Sequence, residues 1–205
     1  MSKFDVNDIH DILEATIPMF SIHRVKIYWC GNVDVVSDKN ELKTHILVIA
    51  SPGIFLIDKK KNIYKSKLLC GISFFDLNSI ILTNSTISFS GQSLHMRIKS
   101  TDASYLASIV FIIRQSQFPT DVLPMEFTIT ETNQVGRQSF KPPPLDSLFY
   151  ERTLSCIYYM CPTFSKDNEN VLTYISNSVS KTIKIDNAFF HSPALKPLVL
   201  SLAYE

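Results

Sequence analysis

His45-Ile-Leu-Val-Ile-Ala50 runs into Ser51-Pro52-Gly53 and on through Ile54-Phe-Leu-Ile57 to Asp58. Two apolar runs around a Pro-Gly pair read as strand, tight turn, strand. Asp58 to Asn62 then forms a second turn carrying Lys59, Lys60 and Lys61. Ile63–Leu69 and Ile72–Thr83 follow as extended stretches, and Asn84-Ser85 makes the next turn. Ile87 and Phe89 face one side, Gly91-Gln92-Ser93 turns the chain, and Leu94, Met96 and Ile98 return on that side. His95, Arg97 and Lys99 point away, the period of two expected of a half-buried strand.

Upstream the same period appears, with Val25, Ile27 and Trp29 alternating with Arg24, Lys26 and Tyr28. Residues 31–41 read as a polar connection with room for extra pairing at Val33 to Val36. Before it, Val6, Ile9, Ile12, Leu13 and Ile17 recur at helical spacing. Asp5, Asp8 and Asp11 crowd the early turns of that helix, where carboxylates suit the dipole, and Pro18 marks its end.

Downstream the strands stop at Ser100-Thr101-Asp102, all good helix-start residues. Ala103, Leu106, Ile109, Val110 and Ile113 then repeat at helical spacing, and Pro119 closes the element. The expected fold class is therefore α+β. About seven short antiparallel strands form a half-barrel, and a helix plugs its mouth and buries its own stripe together with the inward strand faces.

Residues 119–147 carry weaker signals. Glu126 to Thr132 has room for a short strand, and Lys141-Pro-Pro-Pro-Leu reads as a stiff, extended linker. Beyond it, Leu154, Ile157, Tyr158 and Cys161 form a helical stripe closed by Pro162. Val171 to Ser180 is ambiguous. Ile183 and Ile185 share one face of a short strand, and Leu195, Leu198, Val199 and Leu202 return to helical spacing. A strand, a loop and a helix in that order make one unit of the leucine-rich-repeat kind. The expected division is 1–118, a linker over 119–147, and 148–205.

Composition excludes several function classes. The 205 residues are 45% hydrophobic and 19% charged, a globular balance. Twenty Lys and Arg against nineteen Asp and Glu give a net charge of +1, which argues against a nucleic-acid binder. Only 5 glycines are present, and no GxGxxG, GxxxxGK or HExxH motif occurs. The start has no basic segment leading into an apolar run, and no apolar stretch reaches the roughly 18 residues of a membrane span. The chain thus reads as cytoplasmic.

Cys30, Cys70, Cys156 and Cys161 fit reduced thiols, and the C-x4-C spacing of the last two lacks partners for zinc. The five histidines are scattered and show no catalytic arrangement in sequence. No catalytic residue, metal or cofactor is expected.

The order of parts is similar to one known family. An N-terminal acidic helix, then HILVIASPGIFLID, ISFFDLNSI and TISFSGQSLHMRIKSTDASYLASIVFIIRQSQFP, resembles the pleckstrin-homology (PH)-like domain that opens CARMIL proteins. RTLSCIYYMC resembles the cap helix before that family's repeats, and TIKIDNAFFHSPALKPLVLSLAYE resembles its first leucine-rich repeat. The resemblance covers most of the chain. It implies a seven-stranded PH-like half-barrel with a C-terminal helix, followed by a mostly helical segment and one strand–helix repeat unit. It also implies a non-catalytic, actin-regulatory scaffold at the plasma membrane or cytoskeleton, with cytoskeletal regulatory proteins as partners. The family's capping-protein-binding region is absent from this chain, which reads as an N-terminal piece or a truncated product.

The charge feature that stands out is the lysine turn: Lys59, Lys60, Lys61, Lys65 and Lys67, with Arg24 and Lys26 added if their strand face points outward. Near an anionic leaflet each lysine contributes about 1 kcal/mol, so five give at most roughly 5 kcal/mol, a weak and salt-sensitive attachment. The neutral total conceals this patch. Residues 1–118 hold 13 basic against 10 acidic residues, and residues 119–205 hold 7 against 9. PH domains that bind inositol phosphates usually place basic residues on the first strand and the loop after it. Here that loop runs through Asp34, Asp38 and Glu41. The candidate partner is therefore anionic membrane lipid bound weakly, with no nucleic acid and with homodimer formation left open. The alternative is a PH-like module that binds protein, or caps a solenoid, without binding lipid.

Overall fold

The computed structural model describes residues 11–14, 17, 25–58, 60, 66–130, 148–161, 163–177, 192–193 and 195–204. Eight strands form one sheet: β1 (Ile27–Val36), β2 (Leu42–Ala50), β3 (Gly53–Asp58), β4 (Lys67–Ser73), β5 (Ser79–Thr83), β6 (Thr86–Ser90), β7 (His95–Lys99) and β8 (Glu126–Ile129). Residues 11–14 are helical, and among the described residues the further helices are α1 (Ala103–Gln117), α2 (Leu148–Met160), α3 (Lys166–Asn177) and α4 (Leu195–Leu202). The strand order is β4-β3-β2-β1-β7-β6-β5-β8. All neighbours are antiparallel except β5 and β8.

The architecture is α+β with a mostly antiparallel sheet, and it corrects the expected strand count. Eight strands are present, and the eighth is parallel because it returns to β5 only after α1 has crossed the sheet. Phe127 of β8 stacks on Phe111 of α1 at 4.4 Å, fixing the two together. Residues 31–36, read as connection with room for pairing at Val33 to Val36, continue β1. Lys67–Ser73 is one strand, and the turn at residues 74–76 separates it from β5. The ambiguous stretch from Val171 lies within α3 as far as Asn177. Ile183 and Ile185, and with them the strand of the expected repeat unit, lie outside the described residues, as do most of the first helix and residues 131–147.

The core forms on both sides of the central hairpin. Leu47, Ile49, Ile54 and Leu56 face α1, whose Leu106, Ile109, Val110 and Ile113 are buried against them. Ile46, Val48, Ala50, Phe55 and Ile57 face the other way, onto Leu154 and Ile157 of α2, Leu172 of α3, and Ile12, Leu13 and Ile17. This explains why β2 and β3 read as unbroken apolar runs where the outer strands alternate: a strand covered on both faces has no solvent side to mark. Tyr158 of α2 meets Phe55 edge-on at 5.1 Å.

Two local features depart from simple periodicity. A bulge between Ile27 and Trp29 shifts the register, so Ile27 faces α2 while Trp29 packs on the α1 side. The uniform face expected for Val25, Ile27 and Trp29 is broken there because the extra residue reverses alternation. The Ser51-Pro52 turn is buried, whereas hairpin turns normally meet water. Its carbonyls are claimed from three directions: Gln117 Nε2 donates to Ser51 O at 2.8 Å, Ser155 Oγ to Pro52 O at 3.0 Å, and Phe74 N to Pro52 O at 3.2 Å. Those bonds satisfy the groups that burial would otherwise leave unpaired.

Asn84, with φ 54°, makes the two-residue β5–β6 turn, the left-handed geometry that asparagine tolerates. Asp102 precedes α1 without a side-chain cap, its N–H donating instead to Ser100 Oγ at 3.1 Å.

Candidate functional site

The central hairpin is apolar in its middle and polar at its open ends. Antiparallel register places Ile46 opposite Ile57, so His45 and Asp58 meet across the strands one step further on. His45 Nδ1 lies 3.7 Å from Asp58 Oδ1, and Lys60 Nζ is 2.6 Å from Asp58 Oδ2. Lys67, the first residue of β4, pairs with Asp58 from the other side. Lys43 lies two residues before His45, on the same face of β2 by alternation. Lys43, Lys60 and Lys67 are all exposed. Between β3 and β4, Lys60 N donates to Ser66 Oγ at 3.1 Å.

Lys60 and Lys43 thus act on one carboxylate, Lys67 stands opposite it in the sheet register, and a buried imidazole lies beside them. The hydrogen bond from Lys60 holds the Asp58 carboxyl below the usual range, with Lys43 and His45 adding to the effect. Burial pushes His45 below its ordinary value, as do Lys43 and Lys60, against the opposing pull of Asp58. Chemically the arrangement can attract an anion. Among the described residues no group of three or more His, Cys, Asp or Glu side chains is placed to hold a metal ion.

The sequence-predicted residues divide. Lys60 and Lys67 come together here. Lys59, Lys61, Lys65 and Arg24 lie outside the described residues. Lys26 is elsewhere: Ile27 pairs with Ala50, so Lys26 sits beside Ser51 at the opposite end of β2, roughly 25 Å of strand away. Its Nζ binds Glu151 Oε1 at 3.1 Å, and Tyr28 OH donates to Glu151 Oε2 at 2.8 Å. Burial and that carboxylate push the Tyr28 phenol far above its usual range. Lys26 therefore neutralises a carboxylate that is 1% exposed, a role invisible before α2 was placed on the sheet.

Lys43 and His45 were missed. Their signal was present as the i, i+2 spacing at the start of β2, on the face that Asp58 shares. Exposed Asp38 and Glu41 mark the β1–β2 loop at this end, and Asp34 accepts from Thr44 Oγ1 at 2.7 Å. No helix among the described residues is long and apolar enough to cross a membrane.

No protein-family model and no curated protein matches the chain. Solved structures do. One is the C-terminal domain of an unknown protein from Leishmania infantum, at 12% identity over 52% of this chain and 97% of that one, with a TM-score of 0.40. Another holds the PH and C1 domains of the Vav1 exchange factor, at 5% identity over 46% of this chain and 27% of that one, with a TM-score of 0.38. A third is the N-terminal PH domain of human ARAP2, at 11% identity over 70% of this chain and 99% of that one, with a TM-score of 0.37.

Proposed function

We propose that the chain is a non-catalytic, PH-like scaffold module that binds anionic phospholipid weakly through the lysine turn. The single observation that carries this reading is that three exposed lysines, Lys43, Lys60 and Lys67, lie at the Asp58 end of the sheet. The PH-like reading rests on the order β4-β3-β2-β1-β7-β6-β5 followed by α1. The likeness of the sequence to CARMIL proteins adds the wider role, an actin-regulatory scaffold peripheral to the plasma membrane.

The test is co-sedimentation with phosphatidylserine-containing vesicles at low salt. The wild-type chain pellets with them, and raising the salt releases it. Changing Lys59, Lys60 and Lys61 together to Ala removes about 3 kcal/mol, or on the order of 100-fold in affinity, which abolishes pelleting. Failure of the wild-type chain to pellet overturns the proposal.

A second reading, protein interaction or solenoid capping without lipid, is favoured by one observation. Val199 and Leu202 of α4 are 51% and 41% exposed, an apolar face suited to a further packed element.

A further inference from the structure

We propose that His45 couples anion binding at this end of the sheet to pH, so that phosphate-bearing anions bind more tightly as the pH falls. This inference rests on the function proposed above and concerns the regulation of that same site.

The geometry that carries it is specific. The His45 side chain is 6% exposed, and its Nδ1 has no hydrogen-bond partner among the described residues. That atom points toward Asp58 Oδ1, 3.7 Å away, while the other carboxylate oxygen is occupied by Lys60. With a neutral imidazole, Asp58 cancels one of the three lysines and two net positive charges remain. Protonation gives Nδ1 a hydrogen to donate to Oδ1. Asp58 is then shared between two cations, Lys60 is less completely neutralised, and the cluster carries three net positive charges.

The groups around His45 fix the sign. Lys43 from β2 and Lys60, between β3 and β4, oppose its protonation, and Asp58 from β3 favours it. Lys67 reaches the cluster from β4 through Asp58. On β1, uncharged Val33 pairs with His45 and Val35 with Lys43, while Asp34 is turned to the other face. Lys99 of β7 pairs with that Asp34. The one charged side chain of α1, Arg114, is held by backbone carbonyls.

A bound anion offsets the repulsion from Lys43 and Lys60, so anion and proton assist one another, and the coupling is reciprocal. The window opens at the ordinary histidine value of 6.5 and extends below it, because the free protein holds His45 lower than that.

The same sign appears in stability without any ligand. A histidine whose folded value is depressed contributes stability that is complete above its unfolded value and lost as pH falls through the folded one. The melting temperature of the wild-type chain therefore declines on acidification through this window, and His45→Gln flattens part of that decline.

The binding experiment compares wild type, His45→Gln and Asp58→Asn at about pH 7.5 and about pH 5.5. Two probes separate the sources of the phosphate: phosphatidylserine vesicles and soluble inositol hexakisphosphate. Wild type is expected to bind more tightly at the lower pH, by up to about fivefold, the full effect of one added charge. His45→Gln matches wild type at the higher pH and loses the gain. Asp58→Asn, which releases Lys60, binds more tightly than wild type at the higher pH.

A response to the vesicles alone assigns the site to a membrane surface, and a response to both probes assigns it to the phosphate group itself. Equal pH dependence in wild type and His45→Gln overturns the inference and leaves the proposed function standing. Binding to neither probe at either pH overturns both.

Discussion

Arg114→Met is expected to melt roughly 10 °C below the wild-type protein. Arg114 is fully buried on the last turn of α1 and donates to three backbone carbonyls: Leu77 O from Nε at 3.3 Å, Leu123 O from Nη2 at 3.1 Å, and Phe118 O from Nη1. Its guanidinium also lies 5.3 Å from the Phe118 ring centroid. Burial lowers its pKa to about 10, which still leaves it charged at neutral pH.

These carbonyls belong to three separate segments: the turn after β4, the end of α1, and the chain leading to β8. One side chain therefore ties the sheet's two halves to the helix. Methionine fills most of the volume but donates nothing, and each orphaned buried acceptor costs about 1–3 kcal/mol. Relief from desolvating the charge returns part of that. A net loss of about 3 kcal/mol, at 2–4 °C per kcal/mol for a chain of this size, gives the expected shift. Thermal unfolding followed by circular dichroism measures it. A melting temperature within about 2 °C of wild type would show that water takes over the three carbonyls.

Gly53→Ala is expected to cost about 3 kcal/mol or to prevent accumulation of folded protein. A Cβ at Gly53 would overlap the carbonyl oxygen of Ile72 and lie 2.8 Å from Ser73 Cα. Both are backbone atoms of β4, and Gly53 pairs directly with Ser73. Relief requires β4 to move away from β3 just where the Ser51-Pro52 turn is buried under Gln117 and Ser155.

Gly91→Ala is the instructive comparison. The atoms nearest its Cβ would be those of the Asp76 carboxylate, the end of a side chain that can rotate at the loss of the bond from Gln92 N to Asp76 Oδ1 at 3.0 Å. Chemical denaturation of the two variants should place Gly53→Ala well below Gly91→Ala. Equal losses would mean that β4 yields more readily than its pairing suggests.

Of the candidate site, Lys60 and Lys67 were legible in the chain by charge alone. The alternation in β7 and the stripe of α1 held residue by residue. Lys26 misled because alternation assigns a face but not a position along the sheet, and its partner Glu151 is 125 residues away. His45 was passed over because the i, i+2 spacing of Lys43 and His45 gains meaning only once Asp58, their cross-strand neighbour, is known.

The sequence by itself determined the order of elements from β1 to α1, the central hairpin and the amphipathic face of α1. All are encoded by neighbours a few residues apart, through periodicity and turn chemistry. Only the tertiary structure decided that the hairpin is covered on both faces and that its turn is buried. It alone turned Trp29 across the sheet, paired β8 in parallel with β5, and brought Lys43, His45, Asp58, Lys60 and Lys67 together. Register, bulges and the choice of covering helix are settled by burial and by hydrogen bonds between residues distant in the chain. No local pattern records them.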